Sequence, residues 1–384
     1  MNASLDRRFP SAADIERAAL RRMPKFIRDY IFCGMGLGGA VRRNREALDS
    51  VGLMPRYLVD AGEIAFDTEL FGQHYDAPFG VAPVGMGGLA WPRAAESLAA
   101  AANQHNLPFA VATFTMSSLE DLRNEAQSCG WFQFYRPNIP EIEEDLLSRA
   151  EAAGYNVLVV TVDIPSPMRR DHDIRNGFSV PPRFGLRTAL EIASCPAWAL
   201  AMAVSGFPVF ENLVRYIPAG LGRDEAMNFL SDLVTGHITP EILSRLRARW
   251  PGTLVVKGIL DPEEAVRCRD LGADGVIISN HGGRQLEAAP SATQMLPSIR
   301  AAVGPDFPLI ADGGVRTGLD ICRMLALGAD FVLMGRPFYY AVAAMGDKGA
   351  DHIMELFKAE LRCVMGQLGC VTLAELSDHL MGRD

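Results

Sequence analysis

Eight short apolar runs recur along the chain, and each is continuous where a half-exposed strand would alternate. They read FGVAP (79–83), PFAVA (108–112), WFQF (131–134), VLVVTV (157–162), TLVVK (253–257), GVIIS (275–279), PLIA (308–311) and FVLM (331–334). Apolar on both faces, such runs fit parallel strands covered on both sides. Helical patterns lie between them, over 92–104, 117–126, 140–153, 262–271 and 319–327. Asp261 is placed to cap one of these helices, and Gly272 and Gly328 to stop two. Alternating βα units with short links make a parallel sheet, and eight of them close into a barrel, the TIM (β/α)8 barrel. The α/β class follows, with one domain over residues 1–384 and the barrel at about 76–345.

One interval breaks the rhythm. The fourth and fifth runs are separated by about 90 residues (163–252), where a βα unit needs roughly 30. A long insertion after strand 4, at about 177–250, is therefore expected at the C-terminal mouth. It contains an apolar stretch, CPAWALAMAVSGFPVFENLVRYIP (195–218), broken at Gly206 and Pro208. Residues 24–69 read as an N-terminal helical and irregular lead-in.

Net charge is −9, which argues against a nucleic-acid partner, since that calls for a basic face. The seven cysteines are scattered without a CxxC pair, so neither a disulfide framework nor a metal site is expected. The first 26 residues lack an apolar core, and no run of about 20 apolar residues exists. Neither a secretory signal nor a membrane-spanning helix is expected, and a cytoplasmic protein is the simplest reading.

In this architecture chemistry sits where strands end. Those ends carry Pro83-Val84-Gly85, Gln133 and Tyr135, Thr161 and Asp163 followed by Arg169-Arg170, and Lys257. Further on come Ser279 to Arg284, Asp312-Gly313-Gly314-Val315-Arg316, and Gly335-Arg336. Glycine amides beside an arginine fork suit a phosphate monoester. Lys257 suits either an anionic cofactor ring or a Schiff base. An imidazole such as His281 is a natural base near neutrality. Arg170 and Arg284 can grip a carboxylate, and Asp163 can stabilise an imidazolium.

The segments SNHGGRQL (279–286), VKG (256–258), TVD and RRDHDIRN (161–163, 169–176), DGGVRTG (312–318) and GRP (335–337) resemble the FMN-dependent L-2-hydroxy acid dehydrogenase/oxidase family from about residue 24 to 369. The resemblance implies FMN as cofactor and oxidation of a lactate- or mandelate-like L-2-hydroxy acid. It makes His281 the base with Asp163 behind it. Arg170, Arg284 and Tyr30 become the carboxylate ligands, and Tyr135 stands near the substrate hydroxyl. Pro83, Val84, Gly85, Gln133, Thr161, Lys257 and Ser279 fall around the flavin ring. Asp312 falls at the ribityl chain, and Gly313, Gly314, Arg316, Gly335 and Arg336 at the phosphate. Where the family has a serine near the flavin, this chain has AVATF (110–114), with Ala112 in that place and Thr113 as the substitute contact.

Gly85 stands where the family's dehydrogenases carry glycine and its oxidases alanine, which points to a quinone or another carrier as acceptor. Use of O₂ with release of H₂O₂ is the alternative. The resemblance implies a homo-oligomer, a tetramer, and peripheral contact of 195–218 with the inner face of a membrane. A lid or oligomer contact explains that stretch equally well. Phe114, Met86, Met168 and Phe207 suggest an apolar substrate pocket. The remaining alternatives are a different flavin- or phosphate-binding barrel enzyme, which would lack the histidine–arginine pair, and a non-enzymatic flavin binder.

Overall fold

The structure, a computed structural model, describes residues 2–382 apart from 60–61, 167–168, 179–180 and 207–208. A hairpin, β1 (Thr68–Leu70) and β2 (Gln73–Tyr75), precedes eight parallel strands. These are β3 (Phe79–Val81), β4 (Phe109–Ala112), β5 (Gly130–Phe134), β6 (Val157–Thr161), β7 (Thr253–Ile259), β8 (Gly275–Ile278), β9 (Leu309–Asp312) and β10 (Phe331–Met334). Each strand pairs with the next, and β10 pairs with β3, so the sheet closes into the expected barrel. Each falls within two residues of one of the eight apolar runs.

Alternation along the strands divides the core in two. Inward residues such as Ala110, Trp131, Val159, Val255, Ile277, Ile310 and Phe331 fill the barrel. Outward ones, Phe132 and Phe134 among them, meet the surrounding helices. A fully buried ring is worth on the order of 2–3 kcal/mol over an exposed one, so Trp131 and Phe331 anchor the interior. The helices obey local signals: Asp261 accepts from the amides of Glu263 and Glu264, and Ser291 and Gln294 form a capping box.

The hairpin lies between the helical and irregular lead-in expected over 24–69 and the barrel, sharing only residues 68 and 69 with the lead-in, and was not expected. Its strands of three residues are too short to show a period. Its turn, Phe71-Gly72, has φ of 54° and 73°, the doubly left-handed geometry of tight hairpins. It plugs the N-terminal end of the barrel. Trp131 Nε1 donates to the Tyr75 hydroxyl at 3.1 Å, and the Tyr75 ring meets Phe331 at 5.7 Å.

At the opposite end lie the lead-in helices Lys25–Phe32 and Gly39–Asp49 and the insertion between β6 and β7. Within the insertion, Leu186–Ala193 and Pro196–Ser205 meet at a bend of 100°. Trp198 fixes the pair to the body, its indole N–H donating to the Leu89 carbonyl at 2.8 Å. Their other face is bare: Leu186 is 79% exposed, Leu190 64%, Leu200 67% and Val204 80%. Among the described residues no single helix is long and apolar enough to cross a membrane.

Candidate active site

A cavity of about 1170 Å³ opens at the C-terminal ends of the barrel strands. It is lined by Pro83, Val84 and Gly85 after β3, Gln133 and Tyr135 at β5, and Thr161 at β6. Lys257 at β7, His281 and Arg284 after β8, Asp312 to Arg316 after β9, and Gly335 and Arg336 after β10 continue the wall. Tyr30 from the lead-in and Arg170 from the insertion complete it.

His281 sits with its Nδ1 2.9 and 3.0 Å from the two carboxylate oxygens of Asp163. Asp163 itself lies behind the imidazole. Burial pushes its carboxyl up, but the charge and hydrogen bond of His281, with help from Lys257, outweigh this and hold it below the usual carboxylate range. Close approach of Asp163 depends on Gly258, where a Cβ would come within 2.5 Å of the Asp163 Cβ. His281 has a left-handed backbone, φ 57°, and its amide donates to Ser279 Oγ at 2.9 Å. Asn280 beside it exchanges two hydrogen bonds, at 2.7 and 2.9 Å, with Asn44 of the lead-in helix.

Across the cavity, both guanidiniums lie over the Tyr30 ring, Arg284 at 4.9 Å and Arg170 at 5.8 Å from its centroid. Arg284 is anchored to the main chain, donating to the carbonyls of Tyr30, Ile31 and Cys33. Burial, then repulsion from Arg170, lowers its pKa. Asp173 stands 3.9 Å from Arg170 and also faces the cavity. Its carboxyl is pushed up by burial, against the pull of both arginines. Burial and the neighbouring Asp163 raise the Tyr135 phenol well above its ordinary value, so it stays a hydrogen-bond donor. Arg169 also lines the cavity but is 81% exposed, its guanidinium 3.8 Å from Asp171.

The other half of the cavity is built for a larger anionic group. Lys257 Nζ bridges Asp312 Oδ2 and Ser279 Oγ, both at 2.8 Å. Burial alone would lower its pKa, but Asp312 and Asp163 raise it. Gln133 donates to Thr161 Oγ1 at 2.9 Å. Gly313 and Gly314 have φ of 97° and 84°, and a Cβ at Gly314 would meet the Asn44 carbonyl at 2.8 Å. Arg336 donates to the carbonyls of Ile31 and Gly282, and burial lowers its pKa to about 10, leaving it charged at neutrality. Asp312 Oδ1 and Arg336 Nη2 are among the cavity-lining polar atoms that are buried without a partner. An acceptor and a cationic donor at the two ends of a glycine-lined wall match the hydroxyls and the phosphate of a ribityl phosphate. FMN therefore fits the residues present.

Two expected flavin contacts are placed differently. Thr113 is fully buried and does not line the cavity. Its hydroxyl donates to the Gln133 carbonyl at 2.7 Å and accepts from the Tyr135 amide at 3.0 Å, so it shapes β5 from behind. Ser279, also fully buried, accepts from Lys257 and from the His281 amide. Met86 and Phe114 line the cavity, while Met168 and Phe207 lie outside the described residues. Asn44 and Phe178 went unmarked in the sequence. The aromatic after RNG, at 178, was the available hint for the second.

The chain matches the FMN-dependent dehydrogenase family over residues 19–383. It is 38% identical over 377 residues to an L-lactate dehydrogenase of Caulobacter vibrioides, covering 97% of each chain. It is 36% identical over 372 residues to an L-lactate dehydrogenase of Acinetobacter baylyi, again covering 97% of each. Among solved structures it superimposes on (S)-mandelate dehydrogenase, a monotopic membrane protein, with a TM-score of 0.91 at 34% identity, covering 97% of this chain and 99% of that one. A mandelate oxidase aligns with a TM-score of 0.80 at 33% identity, covering 96% and 97%. The chain thus belongs to the FMN-dependent dehydrogenase family and is an FMN oxidoreductase acting on a hydroxy acid.

Proposed function

We propose that the protein oxidises a lactate- or mandelate-like L-2-hydroxy acid to the 2-oxo acid, with His281 as base, and passes the electrons to a membrane quinone. The observation that carries this reading is the shared cavity. An imidazole backed by a carboxylate faces two guanidiniums, and a buried lysine and glycine loops stand beside them.

Arg170 and Arg284 bind the substrate carboxylate as charge-assisted hydrogen-bond donors. Tyr30, under both guanidiniums, fixes that end, and Tyr135 donates to the substrate hydroxyl. His281 takes a proton from the α-carbon or from the hydroxyl, and Asp163 stabilises the imidazolium that results. Gln133, Thr161, Lys257, Asp312, Gly313, Gly314, Arg316, Gly335 and Arg336 would hold FMN, with Pro83, Val84 and Gly85 along the wall. FMN held there would supply a two-electron acceptor, and Lys257 would place positive charge beside its ring.

A quinone acceptor is supported by the exposed apolar face of the bent helix pair and by the monotopic relative. Gly85 agrees with it. A Cβ there would make an ordinary 3.5 Å contact with Phe114, so packing does not force the glycine. The test is anaerobic bleaching of the purified yellow protein by a hydroxy acid. His281→Gln should keep FMN yet not bleach, and rapid bleaching of that variant would refute the role. Bleached enzyme that O₂ reoxidises faster than a soluble quinone does would overturn the acceptor assignment.

A further inference from the structure

Beyond its polar end the cavity continues between two groups of aromatic rings, and each group begins at a tyrosine of the site. Phe178 stands edge-on to Tyr30 at 5.2 Å, with Phe26 next to it at 5.8 Å. On the other side Phe114 lies 6.0 Å from Tyr135 and 5.3 Å from Phe210. All of these rings line the cavity. An α-carbon held by its carboxylate on the arginines and by its hydroxyl at His281 has one heavy substituent left, and the rings of Phe178 and Phe114 line the cavity beside those groups.

We propose that Phe178 and Phe114 wall a side-chain chamber, and that the preferred substrate is a 2-hydroxy acid bearing a bulky, uncharged apolar side chain, a phenyl ring or a chain of about four carbons, rather than a methyl group. The inference rests on the hydroxy-acid reading above and narrows it. Asp173 sets the charge limit. Its carboxylate faces the cavity beside Arg170, so a second carboxylate on the substrate would meet a like charge there. Each methylene moved from water into such a chamber is worth about fourfold in binding. A butyl side chain should therefore lead a methyl by roughly fiftyfold.

The test is the reductive half-reaction alone, because the same chamber could instead hold the acceptor. Anaerobic stopped-flow bleaching of the FMN-loaded enzyme gives the ratio of rate constant to dissociation constant for (S)-2-hydroxyhexanoate, (S)-mandelate, (S)-lactate and (S)-malate. The first two should exceed lactate by about tenfold or more, and malate should be poorest. Phe178→Ala and, independently, Phe114→Ala should each reduce the hexanoate-to-lactate ratio by about tenfold. Phe178→Leu should restore it, which a general loosening of the mouth would not do. Lactate equal to or better than the bulky acids overturns the proposal while leaving the hydroxy-acid reading intact. Variants that alter only reoxidation by a quinone also overturn it, by giving the chamber to the acceptor. Failure of every acid to bleach the flavin removes the hydroxy-acid reading and the chamber with it.

Discussion

Replacing Asp163 with asparagine removes one charge behind the base and changes little else. The carboxylate oxygens lie 2.9 and 3.0 Å from His281 Nδ1. Unit charges at that distance, in a medium of effective dielectric constant about 20, attract by roughly 6 kcal/mol. Asparagine keeps one hydrogen bond to the ring, and the surroundings relax, so about half of this, roughly 3 kcal/mol, should reach the barrier for proton removal. That corresponds to flavin reduction slowed by about 150-fold. Substrate affinity should change little, because the proposed carboxylate ligands are Arg170 and Arg284, not this pair. The assay is anaerobic stopped-flow bleaching at saturating hydroxy acid, with FMN content checked by absorbance. Asp163→Asn enzyme that retains FMN and bleaches within threefold of the wild-type rate would show that the imidazolium does not depend on this carboxylate.

Other perturbations separate the parts of the site. Arg316→Ala should weaken FMN binding by about 10- to 150-fold, the worth of one charge-assisted hydrogen bond; fluorescence titration of FMN into apoenzyme checks it, and a change under twofold would remove Arg316 from the phosphate site. Asn44→Ala breaks a buried reciprocal amide pair and should cost about 1–3 kcal/mol of stability, seen as a melting point lowered by several degrees together with slower flavin reduction. Asp163 also sets an acid limit. Because His281 and Lys257 hold its carboxyl below the usual range despite burial, its stabilising contribution is present above about pH 4 and disappears as pH falls through the depressed value. The melting-point gap between wild type and Asp163→Asn should therefore be open above about pH 5 and narrow as the pH falls below about 4, whereas a gap independent of pH would contradict the pairing. Leu200→Ser with Val204→Ser should abolish sedimentation with membranes without altering anaerobic bleaching, and unchanged sedimentation would return the helix pair to a lid or oligomer role.

The barrel was legible because a strand buried on both faces can carry few polar residues, and eight such runs leave few other folds. The polar residues that line the cavity at the strand ends were legible for a related reason: they stand out at the tips of apolar runs. What stayed hidden depends on contacts distant in sequence. Nothing in GAVRRNREALD (39–49) marks Asn44 as the partner of Asn280, 236 positions away. Thr113 and Ala112 are neighbours, but strand alternation turns Thr113 away from the cavity, and its hydroxyl serves β5. The substrate wall was the least legible part. Its rings come from the lead-in, a βα loop and the insertion, which share no period, and loops carry specificity on a scaffold that does not dictate them.

The backbone at the base shows why these remote pieces belong together. His281, Gly282 and Gly283 are three consecutive left-handed residues, with φ of 57°, 64° and 78°. For the histidine alone this costs on the order of 1–2 kcal/mol, and such a conformation persists only when its surroundings over-determine it. Ser279 accepts from the His281 amide, Asn280 Oδ1 accepts from the Gly283 amide at 3.0 Å, and Asn280 is itself held by Asn44 and by the Pro290 carbonyl. The two glycines answer to packing as well as to φ. A Cβ at 283 would come within 2.8 Å of the Val41 amide, and one at 282 would lie 3.0 Å from the Arg336 guanidinium. The turn that presents the imidazole is thus pressed between the lead-in helix Gly39–Asp49 and an arginine of the phosphate end. Docking of a segment outside the barrel is therefore part of what holds His281 in this conformation. For the same reason the glycines of HGG answer to geometry: both are left-handed, and a Cβ at 283 would press on the backbone of the helix Gly39–Asp49.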